Sequence, residues 1–289
     1  MTQPQQPEIT SLANPRIKAA VKLRQRSHRD ESGLMLAEGY REIKRALDSG
    51  YAPSQLFHCP ELYLKGTNEP SLVERARAAG AEVFSCSAPV FLKLAYRERP
   101  EGLLAIGPQP RHTLEEIAPN LGPHSLVVVA ETIEKPGNLG TILRSADAAG
   151  ADAVIVCDRC TDIFNPNVVR ASTGMIFSLP VVECSSADCL SFLRKLGFKT
   201  LAATPHTDAL LFDVDLTGRV ALVVGNEQFG LSPIWMDDAD LRVRIPMLGR
   251  ADSLNVSAAT TILLFEAVRQ RVAAGIASPP PPLPEHHGA

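Results

Sequence analysis

Short apolar runs mark the second half of the chain, the continuous Leu-Val-Val-Val at 126–129 first, then 153–156, 198–203, 220–224 and 241–245. A strand with one wet face alternates apolar and polar residues. Runs that do not alternate suit a sheet covered on both faces, and such sheets are parallel. Between the first two runs, Leu139, Ile142, Leu143 and Ala146 share one helical face, and Gly150 ends it. A second helix is predicted over 187–196, stopped by Gly197, and a third over 257–274, stopped by Gly275. Strand, helix and strand in succession require right-handed crossovers. This half therefore reads as a parallel α/β domain over 124–275.

The first half carries the same alternation in shorter pieces. Strands are predicted at 34–37, 55–58, 82–85 and 102–106, with helices at 38–48, 72–79 and 90–95. That pattern makes a small α/β domain over 11–107. The Gly107-Pro-Gln-Pro110 break opens an expected linker over 108–123. The polar, Pro/Gln-rich residues 1–10 and the end at 276–289, with five prolines between 279 and 284, are expected to be disordered.

Across 289 residues, 45% are hydrophobic, enough for two cores, and the net charge is −3. The molecule is no polycation, so attraction to phosphate needs a local patch. Residues 11–29 supply one, with Arg16, Lys18, Lys22, Arg24, Arg26 and Arg29 and no acid among them. Ile17, Ala20, Val21 and Leu23 give this stretch an apolar helical stripe, opened by Asn14-Pro15 as cap and first helical residue. A cationic outer face of this kind is either solvated or in contact with nucleic-acid phosphates.

No run of about 18 apolar residues is present, and no apolar core follows a basic flank at the start, so no membrane span or secretion signal is expected. Six cysteines without such a signal point to reduced thiols in the cytoplasm. Cys157-Asp-Arg-Cys160 has C-x-x-C spacing but lacks the two further ligands of a zinc site, so no metal is expected.

Three polar stretches interrupt the apolar pattern. In the loop from Glu131 to Gly140, Asn138 precedes a helix that carries Arg144 about 140° round from Leu139. The arginine then flanks the apolar stripe, where it can reach the strand ends at which open α/β sheets bind ligands, or it is a solvent residue behind an N-cap. Val-Val-Gly-Asn-Glu-Gln-Phe-Gly-Leu-Ser (223–232) runs from a strand into a loop with Glu227 between Gly225 and Gly230. Ser253, Asn255 and Ser257 crowd the start of the last helix. One cap needs one side-chain acceptor, and three polar residues exceed that need, which tilts the cluster towards a ligand. None of the loops has the spacing of a dinucleotide or P-loop fingerprint.

Together these stretches resemble a known family. Asn-Leu-Gly-Thr-Ile-Leu-Arg-Ser-Ala-Asp-Ala-Ala-Gly (138–150), Leu-Val-Val-Gly-Asn-Glu-Gln-Phe-Gly-Leu (222–231) and Ile-Pro-Met…Ser-Leu-Asn-Val-Ser (245–257) look like the three ordered motifs of the SpoU/TrmH family, RNA 2′-O-ribose methyltransferases of the SPOUT class. The likeness covers about 124–275. More loosely, 11–107 is similar to the family's substrate-binding domain, and Arg170-Ala-Ser-Thr-Gly174 also matches its pattern. The resemblance implies a trefoil-knotted parallel-sheet catalytic domain behind a small α/β substrate-binding domain. It implies S-adenosyl-L-methionine held by Ala203, Thr204, Gly225, Asn226, Gly230, Ile245 and Leu254. It further implies a homodimer in which Arg144 faces the cofactor of the other subunit.

Asn138, Arg144, Glu227 and Asn255 become the candidate catalytic residues, and the 11–29 patch with Arg170 the candidate RNA contacts. A guanidinium is not normally deprotonated in a protein, so Arg144 suits a phosphate grip better than a base. The separate N-terminal domain favours large-subunit ribosomal RNA as substrate. The alternatives are transfer RNA, or an RNA-binding assembly protein without catalysis.

Overall fold

The structure is a computed structural model that describes residues 8–278. The chain runs through α1 (Pro15–Lys22), α2 (Arg26–Ser32), β1 (Leu34–Glu38), α3 (Tyr40–Asp48), β2 (Gln55–His58), α4 (Glu69–Ala78), β3 (Glu82–Ser85), α5 (Ala88–Leu94) and β4 (Leu103–Pro108). It continues through α6 (Leu114–Ile117), β5 (Leu126–Glu131), α7 (Pro136–Ala148), β6 (Ala153–Cys157), α8 (Pro166–Ala171), β7 (Val181–Cys184) and α9 (Ser186–Lys195). The last elements are β8 (Lys199–Ala203), β9 (Val220–Val224), α10 (Pro233–Asp238), β10 (Leu241–Val243) and α11 (Val256–Ala273).

Two compact units result, one of residues up to Pro110 plus Asp162–Ser178, the other of Arg111–Thr161 plus the chain from Leu179 onward. The smaller unit holds a mixed sheet in the order β1-β4-β2-β3, with only β2 and β3 parallel. Its core joins Ile17, Leu36, Phe57, Phe84, Phe91 and Ile106. The larger unit is a six-stranded, wholly parallel sheet in the order β10-β8-β9-β5-β6-β7. Every residue of β5, β6 and β9 is buried, which is why these three carry unbroken apolar runs.

The structure departs from the sequence reading at Asn138, which lies inside α7 instead of before it because the helix opens at Pro136, and in five further places. Residues 162–178 pack into the smaller unit although they lie, in chain order, between two strands of the larger sheet. Within them Arg45 Nη1 donates to the Thr173 carbonyl at 2.6 Å, and a Cβ on Gly174 would come within 3.0 Å of the Glu42 Cα, so the Arg170–Gly174 motif seats against α3. The expected linker 108–123 is folded, since α6 is closed by a capping box between Thr113 and Glu116 and clusters with the larger unit. Strand β7 is half exposed at an edge, and α8 is a single short piece capped by Asn165, so neither has a long periodic signature. Ile9 is nearly buried and exchanges backbone hydrogen bonds with Ser85 and Ser87, so at this residue the chain is held in place. The proposed disorder of residues 1–7 and 279–289 lies outside the described residues.

The last departure concerns the basic helix, which is two helices broken at Leu23–Gln25. Arg29 makes the break. It is 1% exposed, donates from Nη1 to the carbonyls of Leu23 and Arg24 at 2.7 and 2.8 Å, and forms an ion pair with buried Asp162. Its guanidinium thereby satisfies carbonyls left open where the first helix ends. The assignment of Arg29 to RNA is corrected, because a cation this enclosed reaches no phosphate. Removing one partner of a buried pair strands the other charge, at a cost of roughly 3–5 kcal/mol. Arg29→Ala is expected to lower unfolding stability by about that amount in denaturant titrations, and an unchanged midpoint would contradict the assignment.

Candidate active site

Strand β9 leaves the sheet at Gly225 and turns back at once. A Cβ on Gly225 would stand 2.6 Å from the Gly230 carbonyl oxygen, so glycine is needed for this close approach. Gly230, at φ 71°, donates to the Asn226 carbonyl at 2.9 Å and closes the turn. Inside it, Asn226 Oδ1 accepts from the backbone of Gln228 and Phe229 at 2.8 and 3.1 Å. Its Nδ2 donates to Glu134 at 2.9 Å and to the Thr132 carbonyl at 3.3 Å, which ties the turn to the loop after β5. Below them, buried Glu131 accepts from Ser232 backbone and hydroxyl at 2.8 and 2.5 Å and from Ser186 at 3.0 Å.

Four side chains converge on this turn. Glu227 accepts from Asn138 Nδ2 and, at 2.8 Å, from Asn255 Nδ2, while its other oxygen pairs with Lys135 Nζ at 2.8 Å. Asn255 Nδ2 also donates to Asn138 Oδ1 at 3.2 Å. The bond to Glu227 raises the Lys135 ammonium pKa and holds it charged. Asn255 Oδ1 meanwhile accepts from the Ser257 backbone and hydroxyl at 3.0 and 2.6 Å, capping α11. One side chain is both helix cap and member of the polar cluster. Ser253 is exposed and donates to neighbouring Asp252 at 3.2 Å.

Two adjoining cavities share Asn226, Glu227, Gln228 and Val256. The larger, about 480 Å³, lies where β8, β9 and β10 end, and all seven residues that the resemblance assigned to cofactor line it: Ala203, Thr204, Gly225, Asn226, Gly230, Ile245 and Leu254. Its size falls in the range of small-molecule sites, and its wall mixes backbone with apolar side chains. The smaller, about 250 Å³, is lined by Asn138, Lys135, Glu134 and Ile133. Arg144 stands apart, exposed on α7 and lining neither cavity. Lys135 was not singled out from sequence, because nothing in its spacing signals a partner on a different loop.

The remaining candidate RNA residues divide. Arg16, Lys18, Lys22 and Arg26 are exposed, with Arg16 lying 4.9 Å over the Phe84 ring and Arg26 bonded to Asp30 at 3.3 Å. Arg24 is half-buried and its Nη2 donates to the Lys93 and Ala95 carbonyls at 2.5 and 2.6 Å, which ties that end of the guanidinium to backbone. Arg170 is exposed at the rim of a small hollow beside Glu38 and Arg97.

Residues 125–265 match the SpoU rRNA Methylase family, and residues 14–105 match the MRM3-like substrate binding domain. A 23S rRNA (uridine(2479)-2′-O)-methyltransferase of Streptomyces viridochromogenes is 34% identical over 264 residues, 88% of this chain and 89% of the relative. Among solved structures, an RNA 2′-O ribose methyltransferase is 42% identical with a TM-score of 0.79, covering 92% of this chain and 99% of that one. An AdoMet-bound rRNA methyltransferase from Sinorhizobium meliloti is 34% identical with a TM-score of 0.81, covering 91% and 97%. With the motif loops gathered round one cavity and a relative of this identity matched along nearly its whole length, the chain belongs to the SpoU rRNA methylase family.

Proposed function

We propose that this protein is an S-adenosyl-L-methionine-dependent RNA 2′-O-ribose methyltransferase acting in the cytoplasm on 23S ribosomal RNA. One observation carries the reading: a cavity of about 480 Å³, walled by the ends of three parallel strands, is lined by Glu227, the carboxylate to which Asn138 and Asn255 donate. The cofactor, when bound, supplies an electrophilic methyl group. The chain's own task is then to hold a ribose hydroxyl in line with it, and alignment of this kind is a large part of any two-substrate rate enhancement.

The residues suit that division of labour. The tight Gly225–Gly230 turn offers backbone at close range, and Ile245 and Leu254 give apolar walls for an adenine. Glu227, with oxygens taken by Lys135, Asn138 and Asn255, braces the loop and aims the two amides at the reacting ribose. Arg144 grips a phosphate beside that ribose. Exposed on α7, outside both cavities and unlike Asn255 not among the bonds to Glu227, it is assigned to the site of a second copy in a homodimer. Support for that dimer comes from α11, where Ile262 and Phe265 are 36% and 46% exposed. Exposed Arg16, Lys18, Lys22, Arg26 and Arg170 track the RNA backbone. The C-terminal segment, whose helix packs on α7 and β9, threads the knot of the SPOUT class.

Mapping 2′-O-methyl groups in 23S and transfer RNA with and without the gene tests the main reading. One ribosomal site is expected to disappear. Loss at a transfer RNA site would move the substrate, and no loss anywhere would refute the activity. Asn255→Ser separates the two roles of that residue, since serine also caps a helix but lacks the amide donor. Its folding stability should hold while turnover falls about 10- to 100-fold, the worth of one or two well-placed hydrogen bonds.

Gly225→Ala should leave a folded protein whose S-adenosylmethionine affinity in calorimetry drops about tenfold or more, the equivalent of 1.4 kcal/mol. Wild-type affinity would show that the close approach is not needed. Phe265→Glu should convert a dimer to a monomer in light scattering, and a monomeric wild type would overturn the assembly.

A further inference from the structure

The C-x-x-C pair lacks two ligands in the sequence, and the fold supplies two. Cys157 ends β6 and Cys184 ends β7, directly opposite each other in the parallel register. Cys189 projects from the first turns of α9, and the sulfurs of all three lie within 4.8 Å of one another. Cys157 and Cys189 are fully buried and Cys184 is half-buried. The fourth thiol, Cys160, is exposed three residues beyond Cys157, on a loop that Asp158 turns by adopting a φ of 48°. That loop is pinned over the cluster by the Asp158 N–H on the Cys184 carbonyl at 3.1 Å and by the Ser186 N–H on the Asp158 carboxylate at 3.3 Å.

We propose that Cys157, Cys160, Cys184 and Cys189 form a structural zinc site. A tetrahedral thiolate site with bonds of about 2.3 Å sets its sulfurs about 3.8 Å apart. The three clustered sulfurs therefore need to close by at most about 1 Å, and Cys160, whose thiol now lies 3.8 Å from the Asp158 carbonyl, to swing in from its exposed position. Buried cysteines are commonly plain packing groups, but packing alone gives no reason to gather three, with a fourth three residues along the chain from Cys157. In paired spacing the set reads C-x-x-C followed by C-x-x-x-x-C, and a soft, four-thiolate set selects zinc over harder ions.

Each thiol gives up its proton to solvent as the metal binds, with no change of oxidation state. Arg111 and Arg159 both pair with Glu183, the residue before Cys184, at 3.3 and 3.0 Å. The ligand pairs flank residues 162–178 on either side, so the ion ties the start of that excursion to its end. The site is independent of methyl transfer.

Metal analysis of protein purified under reducing conditions without chelator, then reconstituted with zinc, is the test. About one zinc per chain is expected, and cobalt replacing it should show thiolate-to-metal charge-transfer absorption of a four-sulfur site. Cys160→Ser, at an exposed position, should stay folded, bind zinc at least about tenfold more weakly and lose about a quarter of that absorption. Cys86→Ala, in the smaller unit, should change neither. Stripping the metal should lower the thermal midpoint, and zinc should restore it. Substoichiometric zinc after reconstitution with no cobalt charge transfer would overturn the proposal. So would a Cys157–Cys184 disulfide whose reduction leaves protein unable to take up metal.

Discussion

The Asn255 side chain is the joint on which the candidate site depends. Its oxygen satisfies the first turn of the last helix, and its nitrogen reaches across to Asn138 and Glu227. An amide can do both because it carries an acceptor and two donors on one rigid plane. An aspartate could cap as well but carries no donor, and a serine has one donor on a shorter side chain where the amide has two. Helix start and site geometry are therefore a single arrangement. Anything that moves the end of α11 moves the amide, and with it the Glu227 carboxylate.

Fixing that carboxylate takes a second layer. Glu227 lies on a turn that begins and ends at glycines, and by itself such a turn is a soft element. Asn226 stiffens it from inside, and its link to Glu134 and Thr132 couples it to the loop from which Lys135 and Asn138 approach. The result is two loops, each bonded to the other by side chains, at the carboxyl edge of a sheet whose central strands are wholly buried. Ligand sites in open α/β sheets sit at that edge because strand ends there leave backbone groups and loops free to converge.

Much of this was legible from the chain itself. Unbroken apolar runs announced β5, β6 and β9, because a strand buried on both faces has no polar alternation to disguise it. Around Asn255 the polar excess divides: the amide reaches past its own cap to Asn138 and Glu227, whereas Ser253 lines the larger cavity and donates to Asp252. Edge strand β7 escaped notice because only two of its residues are deeply buried, and α8 because six residues hold too little periodicity. The basic stretch misled in a more instructive way. Six cations of one sign look alike in sequence, yet Arg29 is enclosed by a partner 133 residues away and Arg24 donates to carbonyls 69 and 71 residues away. Local composition carries no information about contacts at that separation. The same limit hid Lys135, and it hid the thiol cluster, whose members come from two strands and a helix.

Glu131 binds these features into one edge. It is a carboxylate at the end of the central strand β5, 1% exposed, and such burial is costly unless every lone pair finds a donor. Two donors come from Ser232, just beyond the Gly225–Gly230 turn, and one from Ser186, at the start of the helix that carries Cys189. Ser186 in turn accepts from the indole of Trp235, fully buried at the core between α9 and α10. The carboxylate thus lies between the cavity on one side of the sheet order and the thiols on the other, and each side lends it the hydrogen bonds that make its burial tolerable. A residue that touches neither site sets the spacing between them, which makes the carboxyl edge of this sheet a single constructed surface instead of a row of separate loops.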